Sequence, residues 1–121
     1  MAEAQLVVQN IGGVVVANFS EASILDAQAI EAIGRQLYEL VDEQARRKIL
    51  LDFSRVRFLS SSLLGVLISL QKKSQSIKGQ VAICSLKPDL KKPFKITHLD
   101  KLFKFYEDEE EALNGFGVYT T

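Results

Sequence analysis

Apolar residues fall into two rhythms along this chain. From Gln5 to Ile11 and from Val14 to Phe19 they form short runs rich in β-branched side chains, parted by Gly12-Gly13. Adjacent glycines adopt positive φ without a Cβ clash, so the pattern predicts a hairpin of two strands. Ser20 to Leu25 reads as a polar loop leading into a helix. That helix is capped either by Ser23, through the capping-box spacing Ser23-Ile24-Leu25-Asp26, or by Asp26 itself. Ile30, Ile33, Leu37, Leu40 and Val41 then recur at helical spacing, leaving Glu31, Arg35, Asp42 and Glu43 on the wet side.

Ile49 to Phe53 lacks strand alternation at its core, which predicts a strand buried on both faces. Val56 and Phe58 lead toward a second helix, opening at Ser60-Ser61-Ser62 and apolar almost all round at first. Lys72 and Lys73 suit its C-terminal half, and Gly79 is its expected stop. Gln80 to Leu86 reads as another strand. Pro88 fits the first turn of a short helix, which Pro93 is expected to interrupt. A last strand over Phe103 to Tyr106 and an acidic helix from Asp108 to Leu113, ending at Asn114-Gly115, complete the order β-β-α-β-α-β-α-β-α. Strands alternating with helices imply an α/β fold. A mixed, mostly parallel sheet with an antiparallel edge strand would be covered mainly on one face by helices. No linker, repeat or low-complexity segment divides residues 1–121, so a single domain is expected.

Charge narrows the function. Fifteen Lys and Arg balance fifteen Asp and Glu, which argues against nucleic acid as a partner, since that binding draws on excess positive charge. The first ten residues carry no basic segment followed by a long apolar one, and the run Leu63 to Leu70 is too short to span a bilayer. Cys84 is the only cysteine, which excludes an internal disulfide and fits a reducing compartment. A cytoplasmic protein without direct membrane insertion is expected.

The chemistry concentrates where a strand, Leu51-Asp52-Phe53-Ser54, leads into the hydroxyl cluster of Ser60, Ser61 and Ser62 at a helix start. Unpaired N–H groups and the helix dipole favour an anion there, and a phosphoserine would add about −1.5 to −2 charge. The plainer reading makes these serines simple N-caps. His98 is the only histidine, so no histidine cluster can hold a metal, and a surface polar role suits it. Cys84 sits in an apolar strand and reads as a small buried hydrophobe. Asp26 and Asp52 read as capping or strand-edge residues rather than an acid–base pair. Lys87, Lys91, Lys92 and Lys95 oppose the acidic run Glu107 to Glu111. No Gly-x-Gly-x-x-Gly, Walker-type or Cys-x-x-Cys motif occurs, so no cofactor is implied and an enzyme is not expected.

Taken together these features resemble the STAS family, the anti-sigma factor antagonists. The family pattern is a strand ending in aspartate, then Asp-Ser-Ser-Gly-Leu-Gly opening a helix. This chain has Leu51-Asp52-Phe53-Ser54, then Phe58-Leu59-Ser60-Ser61-Ser62-Leu63-Leu64-Gly65. Leu25-Asp26, the segment Ile96 to Phe103 and the terminal Glu110-Glu111-Ala112-Leu113 resemble the family's other landmarks, in order. The resemblance implies a phospho-regulated binding switch that sequesters an anti-sigma factor acting also as a serine kinase, with a phosphatase restoring the binding form. It puts Ser61 at the phosphorylated position, and Asp26, Ser60, Ser61, Ser62, Leu63 and Leu64 at the partner surface. Ser60 replaces the family aspartate and Leu63 its glycine. Leu63 is open to two readings, core or apolar docking patch. Those replacements also keep a second function in view, a non-switching STAS scaffold subunit of a lipid-transport or signalling complex.

Overall fold

The β-branched run Val14 to Phe19 buries both of its faces. In the computed structural model, which describes residues 6–20, 23, 24 and 26–119, Val15 and Ala17 of one strand face one way, and Val14 and Val16 the other. The expected strand start at Gln5, and Leu25 ahead of the first helix, lie outside those residues. The strands are β1 (Leu6–Ile11), β2 (Val14–Phe19), β3 (Ser23–Ile24), β4 (Lys48–Asp52), β5 (Phe58–Leu59), β6 (Gln80–Cys84) and β7 (Lys104–Tyr106). The helices are α1 (Ala27–Asp42), α2 (Ser61–Ser76), α3 (Pro88–Ile96) and α4 (Glu109–Gly115), with a 3-10 turn at Leu99–Lys101 before β7.

Five strands form one sheet in the order β1-β2-β4-β6-β7. Only β1–β2 is antiparallel. Gly12 and Gly13, at φ 58° and 88°, make the hairpin turn between them. Val15, Ala17, Ile49, Leu51, Val81 and Ile83 project into the larger core with the inward faces of α1, α2 and α3. Val14, Val16, Leu50, Ala82 and Cys84 project to the opposite side, where Ala112 and Leu113 of α4 cover them. Helical cover is thus mainly on one face. At the end where the parallel strands finish, Phe19, Phe53, Phe94 and Phe105 meet in sequence, the first pair tilted and the next two edge to face, with ring centroids 4.8, 6.2 and 5.6 Å apart. This file of rings ties α3 to the sheet.

Gln71, buried in the second half of α2, is structural. Gln71 donates to the carbonyls of Val81 at 3.3 Å and Leu102 at 2.6 Å, and accepts from the Val81 N–H at 3.2 Å. One side chain therefore joins helix, sheet and the segment before β7. Ser74 is also buried, and its hydroxyl has no hydrogen-bond partner among the described residues.

Local expectations at Pro93, Phe58 and Gly79 are corrected, and the open choice of α1 cap is resolved. Pro93 does not interrupt α3, which runs from Pro88 to Ile96. Proline removes one N–H bond to the residue four back, here Asp89 in the first turn, while the Pro93 carbonyl still accepts from Thr97 N–H and Oγ1. Phe58 belongs to a strand rather than to an approach to the helix, and Ser23 likewise lies in a strand, so Asp26 is the α1 N-cap. Gly79 does not stop α2 by adopting positive φ; Lys78 does so, at 60°. Glycine is needed at 79 for space, because a Cβ there would lie 2.7 Å from Ser74 Oγ and 2.8 Å from the Arg47 carbonyl.

Candidate functional site

Two very short strands build the site. β3 and β5 pair in parallel, Ser23 with Phe58 and Ile24 with Leu59. Because they run the same way, the chain leaves both at the same end, Asp26 two residues after β3 and Ser60 directly after β5. Each begins a 16-residue helix as its N-cap, so the amino ends of α1 and α2 are set side by side. Asp26 accepts the Gln28 N–H at 3.1 Å. Ser60 Oγ accepts the Leu63 N–H at 3.4 Å. The plain capping role inferred for the cluster thus falls to Ser60.

Ser61 and Ser62 are exposed at the first two positions of α2, and among the described residues no hydrogen bond engages the Ser61 hydroxyl. No acidic residue occupies the first turn of α2, so its N–H groups and dipole carry no charge compensation from the helix itself. Leu63 is wholly buried in the main core and Leu64 is 6% exposed. Of the two readings of Leu63, core is the observed one: its side chain does not reach the surface where a partner would sit.

Across from Ser61 lies α3. Ser60, Ser61 and Leu64 share an open groove of ≈ 440 Å³ with Lys92, Pro93 and Ile96. Asp89, Lys92, Pro93 and Ile96 stand at i, i+3, i+4 and i+7 on one helix face, while Leu90 and Phe94 bury the other. Ile96 is 67% exposed, and Phe58, three residues before Ser61, is 61% exposed. The α3 wall of this groove was missed in the sequence. Its signal was available: Ile96 is an apolar residue off the face that Leu90 and Phe94 define.

The other candidates are accounted for by packing. Burial pushes the Cys84 thiol up to about 12, with the Asp52 charge adding to it, so it is a core residue with no thiolate to offer. Asp52 is 6% exposed and accepts the Ser54 N–H at 2.8 Å. Glu109, at the start of α4, has its carboxyl pushed up by burial and then by a hydrogen bond to Asp52. His98 is exposed and takes φ 62° just before the 3-10 turn. Among the described residues no group of three His, Cys, Asp or Glu is placed to hold a metal ion, and no helix is long and apolar enough to cross a membrane.

Residues 5–112 match the family model of the STAS domain. BtrV of Bordetella bronchiseptica, a candidate anti-sigma factor antagonist, is 26% identical over 112 residues, covering 93% of this chain and 94% of that protein. Among solved structures, an anti-sigma-factor antagonist (STAS) domain protein from Planctomyces limnophilus superposes with TM-score 0.86 at 25% identity, over 94% of this chain and 99% of that one. The anti-sigma factor antagonist SpoIIAA matches in fold in its unphosphorylated form, with TM-score 0.71, 19% identity and coverage of 93% and 97%. Its phosphorylated form, from Bacillus, gives TM-score 0.74 at 20% identity, with coverage of 92% and 98%.

Proposed function

The chain belongs to the STAS domain family, and we propose that it is an anti-sigma factor antagonist switched by phosphorylation of Ser61. The unphosphorylated protein binds an anti-sigma factor that is also a serine kinase, and so frees a sigma factor for transcription. Phosphorylation ends the complex, and a serine phosphatase restores the binding form. The protein is a substrate and a binding surface in the cytoplasm and catalyses nothing itself.

The observation that carries this reading is the state of Ser61: exposed, without a hydrogen bond among the described residues, and on a groove with a largely apolar lining. Ser60 takes the capping bond that would otherwise hold such a hydroxyl in place. A phosphate on Ser61 would add about −1.5 to −2 charge where Leu64, Pro93 and Ile96 offer apolar contact. The α2 dipole and Lys92, on the same groove, favour retention of that charge at the rim, where it would oppose an apolar partner segment. Burial of Leu63 leaves the approach to Ser61 clear despite its departure from the family glycine. Asp26, Ser60, Ser62 and Leu64 frame the same surface, with Leu63 fixing α2 beneath it.

Binding to the purified anti-sigma factor is the test. Ser61→Asp is expected to weaken it about a hundredfold or more, and Ser61→Ala to keep binding while blocking phosphate incorporation by the kinase. Equal binding by both variants would sink the switch and leave the constitutive STAS scaffold as the better reading.

A further inference from the structure

The two sides of α3 border different spaces. Asp89, Lys92, Pro93 and Ile96 face the Ser61 groove. Lys91, Phe94 and Lys95, at i, i+3 and i+4, border a separate hollow of ≈ 310 Å³, completed by Leu86, Asp100 and Phe105. No residue lines both. Leu86 follows β6, Phe94 belongs to α3 and Phe105 to β7, and together they give the hollow an apolar floor. Phe94 and Phe105 meet there edge to face, with ring centroids 5.6 Å apart. An apolar floor with a few convergent polar groups is the usual form of a small-molecule site, and this volume suits a ligand at the small end of that range.

Three charges stand over that floor. Lys91, Lys95 and Asp100 are all exposed. The ion pairs among the described residues are Arg35–Glu31 and Lys73–Asp42, so neither lysine is neutralised by Asp100 or by another carboxylate. Past Lys91 the hollow adjoins a smaller one, of ≈ 190 Å³, which Glu107 and Glu111 line. Glu111 accepts the Glu107 N–H at 3.3 Å, and the two carboxylates make that side unfavourable for a second anionic group. The hollow therefore offers two cations, one anion and an apolar surface within a space for one small molecule.

We propose that this hollow binds a free α-amino acid with an apolar side chain. Such a molecule carries a carboxylate, an ammonium and an apolar group on one carbon. The carboxylate meets Lys91 and Lys95, the ammonium meets Asp100, and the side chain lies on Leu86, Phe94 and Phe105. A plain carboxylic acid would leave Asp100 without a partner, and a plain amine would leave both lysines without one. The two rings favour an aromatic side chain, because edge-to-face contact adds to the gain from burial. The site goes beyond the Ser61 switch and shares no residue with its groove.

The experiment is an NMR titration of the full chain with L-phenylalanine at about 20 mM salt, where exposed charges are weakly screened. Hydrocinnamate, which lacks the ammonium, and phenethylamine, which lacks the carboxylate, are titrated in parallel. Saturable binding of L-phenylalanine at millimolar concentration is expected, with amide shifts centred on Leu86, Lys91, Phe94, Lys95, Asp100 and Phe105. Each analogue should bind about tenfold more weakly, as expected for loss of a charge-assisted contact. The double variant Lys91→Gln, Lys95→Gln should weaken L-phenylalanine by about the same factor without weakening phenethylamine. Asp100→Asn should weaken L-phenylalanine and leave hydrocinnamate unchanged. Lys72→Gln, at an exposed cation of α2 outside the hollow, should alter none of the three. Absence of saturation at tens of millimolar L-phenylalanine, analogues that bind as tightly as the amino acid, or an Asp100→Asn variant that binds it unchanged would overturn the proposal.

Discussion

The two ends of α2 use polar side chains in opposite ways. At its start Ser61 and Ser62 face solvent, and Ser60 alone is committed, to a cap. Two turns and more later Gln71 and Ser74 are buried, and Gln71 is bonded to two other segments of the chain. A hydroxyl or amide is structural when its neighbours use its hydrogen-bonding capacity, and available for chemistry when they leave it over. The same helix therefore anchors at one end and presents at the other.

That contrast is broken most severely at the anchoring end. Gln71→Leu should destabilise the fold by about 2–4 kcal/mol, because it leaves the Val81 N–H and the Leu102 carbonyl buried without partners. Urea unfolding would show it, and a change within experimental error would mean that the amide bonds are replaceable. Ser60→Ala should cost about 1 kcal/mol through loss of the N-cap, read by the same curves. At the presenting end Ser61→Ala should stay within about 0.5 kcal/mol of the parent. A larger loss would show that the hydroxyl is structural after all.

A pH test sharpens the picture from outside α2. Glu109 holds its proton more tightly in the fold than when unfolded. Its contribution is fully present below the ordinary carboxylate range and is lost as pH rises through the raised native value. Glu109→Gln should flatten that part of the stability-against-pH profile. An unchanged profile would remove the carboxyl-to-Asp52 bond from the account. Ser74→Ala is expected to act in the opposite direction. It removes a buried hydroxyl without a partner among the described residues and should be neutral or stabilising by under about 1 kcal/mol.

Much of the fold was legible because its signals are long. The apolar runs of β2, β4 and β6, the 3.6-residue rhythm of α1 and the hydroxyl cluster opening α2 each extend over several residues. The pair β3–β5 was not legible, since two residues per strand are too few to show a period of two. Pro93 misled because a proline in the second turn of a short helix removes a single bond that packing of Leu90 and Phe94 outweighs. Gln71 was unreadable for another reason: its partners lie 10 and 31 residues away. At the site, Ser61 could be found from local sequence, whereas the α3 wall required knowing that two distant helices meet.

The brevity of the β3–β5 pair has a dynamic consequence. Two rungs of backbone pairing can open locally without disturbing the five-stranded sheet, and opening energies of that kind lie well below the global one. Amide hydrogens of this pair should exchange with solvent much sooner than those of β4. Slower exchange there in a complex would report that the partner clasps this corner of the molecule, even if no atom elsewhere moves.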